Sequence, residues 1–180
     1  MTDARQDKRL IIHLGYHKTG SSSLQHWLLQ NADALSSHLA CYNLADGSSN
    51  PLKFAAQALV LGRIDAPTFR NHVEKWAELF RSIEHPVICV TDEGLPGLPL
   101  GSLTDEFRET GIYPRAPEIV GIMAEVFAEF DPVFVVFERA AEPWLKSIHN
   151  QMHKQGCVSD DYVEFLERFE PNVDWPAMRA

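Results

Sequence analysis

No stretch of the chain approaches the ~18 consecutive apolar residues that a membrane-spanning helix requires. The polar opening MTDARQDKRL leads into no apolar targeting segment. No membrane span is expected, and a cytoplasmic location follows by default. Cysteine is scarce: Cys41, Cys89 and Cys157 are odd in number and form no C-x-x-C pair. That leaves no basis for a disulfide framework or a zinc ribbon, and reduced thiols are expected. Basic residues are also short, with 16 Lys and Arg against 25 Asp and Glu and a formal net charge of -9. Such a balance argues against a general nucleic-acid or anionic-membrane binder, because those surfaces need basic patches and counterion release. Any anionic ligand must therefore be held locally. Internal repeats and low-complexity segments are lacking as well.

What is present is an ordinary globular composition, 45% hydrophobic over 180 residues, enough chain for one domain with a real core. Residues 1–8 read as a flexible tail and 9–180 as a single domain. Three apolar, β-branched-rich runs without alternation, RLIIHL at 9–14, PVICVT at 86–91 and PVFVVFE at 132–138, predict strands covered on both faces. Helical patterns separate them. Ser22 or Ser23 is placed to N-cap a helix carrying Leu24, Trp27, Leu28 and Leu35 on one face. Pro67 opens another with Val73, Trp76, Leu79, Phe80 and Ile83 in phase. Further helices are expected over 51–61, 117–130, 142–155 and 159–169. Strands alternating with helices imply crossovers, a mainly parallel sheet and an α/β fold with helices on both faces. Gly-, Pro- and Ser-rich stretches at 46–51 and 94–101 read as loops. The second follows a strand directly, where open α/β sheets place their ligands.

The segment IIHLGYHKTGSSSLQ leaves the first predicted strand through Gly15 and Gly20 and enters a helix. Free N–H groups at a helix start attract anions, glycine permits close backbone approach, the Ser21 and Ser22 hydroxyls add donors, and Lys18 supplies positive charge. Phosphate or sulfate is the expected ligand. A nucleotide kinase would place lysine immediately after the second glycine, in G-x-x-x-x-G-K-[ST]; here it precedes the glycine, as KTGSS. A plain strand-to-helix turn with an exposed lysine is the alternative.

GYHKTGSSSLQ resembles the 5′-phosphosulfate loop of the sulfotransferase family that uses 3′-phosphoadenosine 5′-phosphosulfate. FVVFERAAEPWLKSIHNQ is similar to the family's 3′-phosphate element, in which an arginine at a strand end and a serine eight positions later grip the nucleotide; Arg139 and Ser147 match. VICVTDEGL, residues 87–95, resembles the strand that ends in a catalytic glutamate in bacterial and carbohydrate-directed members. The resemblance spans roughly residues 9–155. It implies a three-layer, P-loop-like fold, and binding of the phosphosulfate donor through Gly15, Lys18, Thr19, Gly20, Ser21, Ser22, Arg139 and Ser147. It also implies catalysis through Lys18, Glu93 and His17, and no metal. The implied reaction moves a sulfuryl group to a hydroxyl or amine, with a sugar or glycolipid as the expected acceptor. Similar enzymes are longer and many close the nucleotide site with a later basic, Gly-containing segment; nothing like it is read here, which leaves a C-terminally shortened member, a fragment, or a binding module without turnover as the expectations. The alternatives kept open are a phosphoryl-transfer kinase and a nucleotide- or partner-binding protein with a degenerate site. The oligomeric state stays open.

These roles are physically coherent. Sulfuryl transfer needs charge neutralised on the migrating group and its leaving oxygen, and a hydroxyl acceptor needs a general base. Lys18 suits the first task. Glu93, Asp92 and His17 are rivals for the second, and one of the adjacent carboxylates is expected to cap the following turn. Arg139 offers a planar fork for a phosphate, although it is also spaced to pair with Glu142 on the surface. His149 and His153 have the i, i+4 spacing of a zinc pair, but Asn150 stands where a metalloprotease would need glutamate and no third ligand is apparent. A solvated helix face is the expectation for that pair. Trp144, Leu145, Ile148 and Met152 read as core. The acidic stretch TDEFRE at 104–109 reads as a solvated face.

Overall fold

A computed structural model of the chain describes residues 8–43, 51–98, 113 and 115–169. The elements run β1 (Arg9–Gly15), α1 (Ser21–Gln30), α2 (Ala32–Leu35), β2 (Leu39–Asn43), α3 (Pro51–Val60), α4 (Ala66–Ser82) and β3 (Val87–Thr91). They continue with α5 (Ala116–Val126), a 3-10 turn (Ala128–Phe130), β4 (Val133–Phe137), α6 (Ala141–Lys154) and α7 (Tyr162–Phe169). The strands form one parallel sheet in the order β2-β3-β1-β4, flanked by helices. The three predicted strands are all present. The fourth, LACYN, has no apolar run to announce it and sits at the edge, specified by its pairing with β3.

Side chains alternate across a strand, and β1 shows the consequence. Leu10, Ile12 and Leu14 are buried in one cluster with Ile88 and Val90 of β3 and with α3, α4 and α5. Ile11, His13 and Gly15 face the other way, where the start of α1 lies against Gly15. A second cluster gathers Tyr16, Tyr113, Trp144, Leu145, Ile148 and Phe165 just past the end of β1. The predicted core stripe of α6, Trp144, Leu145, Ile148 and Met152, lies in it. Each such side chain fully withdrawn from water contributes about 1.5–3 kcal/mol.

Helix details depart from expectation in three places. The α1 N-cap is Gly20, with φ +101°, and no side chain caps the helix; Ser22 and Ser23 lie inside its first turn. Its buried face is Ser21, Gln25 and Leu28, while Trp27 is 52% exposed and Asn31 ends the helix before Leu35. The helix start must pass close over β1, so small and polar residues occupy the sheet-facing positions. In α4 the buried stripe is Phe69, Val73, Ala77 and Phe80, with Leu79 exposed. Asp65 caps that helix, its Oδ1 accepting from Thr68 N–H at 2.9 Å, and Pro67 lies in the first turn. The expected loop at 46–51 is described only at Pro51, which begins α3. The 94–101 loop is described through Leu98. TDEFRE and the chain beyond Phe169 lie outside the described residues, as do residues 1–7 of the expected tail.

None of the three cysteines is in a disulfide, and Cys41 and Cys89 lie opposite each other on β2 and β3. No helix among the described residues is long and apolar enough to cross a membrane.

Candidate functional site

The strand order creates a reversal. From β1 the chain crosses towards β2, and from β3 it crosses back over to β4, so β1 and β3 are neighbours whose exits diverge. Open α/β sheets bind ligands in the crevice outside the carboxyl ends of two such strands. The segment 15–21 follows β1 there, Asp92 and Glu93 follow β3, and Arg139 lies two residues past β4 on the other side of β1. Three adjacent strands thus deliver Lys18, Glu93 and Arg139 to one edge.

The loop after β1 is tightly made. A Cβ on Gly15 would collide with the side chain of Ser21 and come within 3.2 Å of His13 Cε1, so only glycine lets the helix start lie this close to the strand. Thr19 closes the turn on Tyr16 O, donating from Oγ1 at 2.6 Å and from N–H at 3.3 Å. Lys18 has φ +68°, a left-handed conformation costing about 1–2 kcal/mol for a residue with a Cβ; strain of this kind gathers at functional sites. Gly20, two residues on, is left-handed as well; turns that mix right- and left-handed residues are the kind from which anion-binding concavities are built. Lys18 and Ser22 are exposed. Ser21 is buried against Gly15 and His13, its Oγ without a partner among the described residues, so its hydroxyl belongs to the floor of the loop.

Asp92 and Glu93 divide their work. Asp92 is fully buried; its Oδ1 accepts from Gly94 N–H at 2.8 Å and lies 3.5 Å from Lys53 Nζ. Burial raises its carboxyl above the usual range, opposed by the Gly94 amide and by Lys53. It is the carboxylate that caps the turn. Glu93 is half-buried and makes no hydrogen bond or ion pair among the described residues. Lys53 reaches the site from α3, its stem packed over Gly94 so closely that a Cβ there would meet three of its carbons at 2.6–2.9 Å.

His17 is held from two sides. Tyr113 Oη lies 2.9 Å from its backbone nitrogen and 3.0 Å from its Nδ1, while Trp144 Nε1–H donates to its carbonyl at 2.7 Å. Burial, with Lys53 and Lys18 nearby, lowers its pKa to about 4. Imidazole is the form present at neutral pH.

Arg139 is exposed and makes no ion pair among the described residues, with Glu142 or otherwise. Ser147 is half-buried on α6, eight positions further on. His149 is not on a solvated face: it is buried between Tyr162 and Phe165, with Nε2 2.9 Å from Asp160 O, tying α6 to the segment before α7. Among the described residues no cluster of His, Cys, Asp and Glu is placed to hold a metal. A cavity of about 670 Å³ opens beside Tyr16, Pro96, Val120, Phe134 and Glu138 and is mostly apolar.

Lys53 and Tyr113 are the two site neighbours that sequence reasoning missed. Lys53 carried one weak signal, a lone cation in the apolar run PLKFAAQAL. Tyr113 carried none. No family model matches the chain, and neither does any curated protein or solved structure.

Proposed function

We propose that the chain binds 3′-phosphoadenosine 5′-phosphosulfate and transfers its sulfuryl group to a hydroxyl or amine. The observation that carries this reading is the convergence of Lys18, Glu93 and Arg139 at the ends of three adjacent parallel strands, on either side of a glycine-bounded loop. In this reading the loop amides and Lys18 neutralise charge on the sulfuryl oxygens and the leaving oxygen, the largest contribution such sites make. Arg139 and Ser147 grip the 3′-phosphate, with Arg139 free to do so because no internal carboxylate engages it among the described residues. Glu93 accepts the acceptor's proton, since Asp92 is committed to Gly94 and Lys53. The apolar cavity beside Pro96 favours an acceptor with a lipid or other apolar portion, such as a glycolipid, over a bare sugar.

Calorimetric titration with adenosine 3′,5′-bisphosphate tests the reading, with ATP-Mg²⁺ and adenosine 5′-phosphate as comparisons. The bisphosphate is expected to bind most tightly. Tighter binding of ATP-Mg²⁺ would replace sulfuryl transfer with phosphoryl transfer, and binding of bisphosphate with no turnover on any acceptor would leave a non-catalytic nucleotide site.

A further inference from the structure

Tyr113 and His17 make a closed pair whose protons can be counted. The His17 backbone N–H donates to Tyr113 Oη at 2.9 Å, and the same oxygen lies 3.0 Å from His17 Nδ1. A phenol has one proton to give. Its only acceptor among the described residues is His17 Nδ1. Were Nδ1 protonated instead, two donors of one residue would converge on Oη while the buried O–H lost its acceptor, a loss of about 1–3 kcal/mol. Nδ1 therefore accepts, and in a neutral ring the proton sits on Nε2. The pair is enclosed: Tyr113 is 3% exposed, packs against Tyr16 at 4.6 Å between centroids with the rings tilted by 44°, and lies 22° from the plane of the His17 ring. The Trp144 indole fixes the His17 carbonyl from the far side.

We infer that Tyr113 is a positioning residue that locks His17 as its Nε2–H tautomer, so that His17 serves the anion loop as a neutral hydrogen-bond donor and not as a base. The donor role rests on the anion-binding reading proposed above; the tautomer does not. A proton could reach Nδ1 only by displacing Tyr113, and Nε2 already carries one. The groups around the ring fit a donor. Lys18 and Lys53 both act on His17 electrostatically, and a third cation would repel them, whereas a neutral N–H adds a donor without adding charge. The loop would then present an oxyanion with two ammonium groups and an imidazole N–H.

Nitrogen-15 NMR of the histidine-labelled full chain at pH 7 reads the tautomer directly through multiple-bond correlations, with His17 identified by the signals lost in His17→Gln. The expected pattern is a protonated Nε2 and a bare Nδ1. Tyr113→Phe should shift the ring towards a mixture with Nδ1–H. A wild-type ring protonated on Nδ1, or on both nitrogens, would overturn the lock, and that spectrum decides the matter even if Tyr113→Phe does not fold. Adenosine 3′,5′-bisphosphate plus inorganic sulfate should move the Nε2–H resonance; binding seen by calorimetry with that resonance unmoved would overturn the donor role. If the bisphosphate does not bind at all, the functional reading fails while the wild-type spectrum still decides the tautomer. In a transfer assay, His17→Ala should lose about 10²–10³-fold, the usual cost of removing one oxyanion donor, and His17→Gln, which keeps an N–H donor, should lose less; equal losses in the two variants would overturn the donor role.

Discussion

Lys53 Nζ lies 3.5 Å from Asp92 Oδ1, a contact between a lysine side chain 24% exposed and an aspartate side chain with no exposure at all. The other oxygen, Oδ2, is buried without a hydrogen-bond partner among the described residues. Burial outweighs the pairing, which is why the carboxyl is raised despite a lysine and an amide at its other oxygen. The pair anchors the 92–94 turn and brings Lys53 to the site from α3.

The raised Asp92 carboxyl sets a sign for stability against pH. The folded chain holds this proton more tightly than the unfolded chain, whose Asp titrates near 3.9. Stability from this group is therefore fullest below that value and falls as pH rises through the raised folded value. Asp92→Asn stays neutral and lacks the fall. In urea unfolding, the stability of Asp92→Asn relative to wild type should increase between pH 4 and pH 7, whatever constant offset the unpaired Lys53 adds. A relative stability that decreases over this range would mean that the ion pair, and not burial, dominates.

Lys18→Ala should leave the fold intact, because the residue is exposed and alanine meets the same left-handed backbone cost as lysine. Turnover of phosphosulfate should drop about 10²–10³-fold, the usual effect of removing one preorganised charge-stabilising group. Circular dichroism and release of adenosine 3′,5′-bisphosphate separate the two effects. Unaltered turnover in a folded Lys18→Ala chain removes the loop from the chemistry.

Much of this frame was legible in the sequence, and the reasons for the gaps are specific. β1 and β3 are apolar runs largely buried on both faces, a signal carried by each residue alone; β4 carries the same apolar signal but sits at the sheet edge, where Val133 is exposed and Phe134–Phe137 are half-buried, short of the two-sided cover expected of it. β2 contains Ala and Asn in five residues, and only its partner β3 makes it a strand. The tight turn between β1 and α1 was readable from Gly15 and Gly20. The inward turn of Ser21 was not, since it depends on how closely α1 crosses β1. Lys53 and Tyr113 reach the site through tertiary packing of α3 and of the second apolar cluster, which no local spacing encodes.

Gly15→Ala tests that close crossing. The new methyl would collide with the Ser21 side chain, and overpacking of this sort costs about 1–3 kcal/mol. For a chain of this size that lowers Tm by roughly 2–4 °C per kcal/mol. Adding Ser21→Gly should restore part of the loss, because it removes the atom that the methyl meets. An unchanged Tm for Gly15→Ala would show that the loop stands further from β1.

Arg139→Ala should weaken adenosine 3′,5′-bisphosphate by about 1.5–3 kcal/mol, the worth of a charged hydrogen bond, and barely affect adenosine 5′-phosphate. The residue is exposed and makes no ion pair among the described residues, so its removal should not disturb the fold. Ser147→Ala, losing a neutral contact, should cost less. Equal weakening of both nucleotides by Arg139→Ala would take the 3′-phosphate away from Arg139.

Glu93, Asp92 and His17 are the three candidates for the general base. A histidine base of ordinary pKa would place an acidic limb near 6.5, but burial and two lysines hold His17 at about 4, so the position of a limb does not separate it from a carboxylate. Variants must do so. Asp92 is spent on the Gly94 amide and on Lys53, with no exposure to an acceptor, which leaves Glu93, half-buried at the end of β3 and beside the turn that leads to Pro96 and the apolar cavity. Glu93→Gln preserves shape and removes proton acceptance. It should lower kcat about 10²–10⁴-fold while leaving the affinity for adenosine 3′,5′-bisphosphate nearly unchanged, since loss of a base affects chemistry more than binding. Asp92→Asn should instead act on stability and on the placement of Lys53, raising KM together with any fall in kcat. Normal turnover by Glu93→Gln, alongside a collapse of kcat in Asp92→Asn at unchanged stability, would move the proton-accepting role from Glu93 to Asp92.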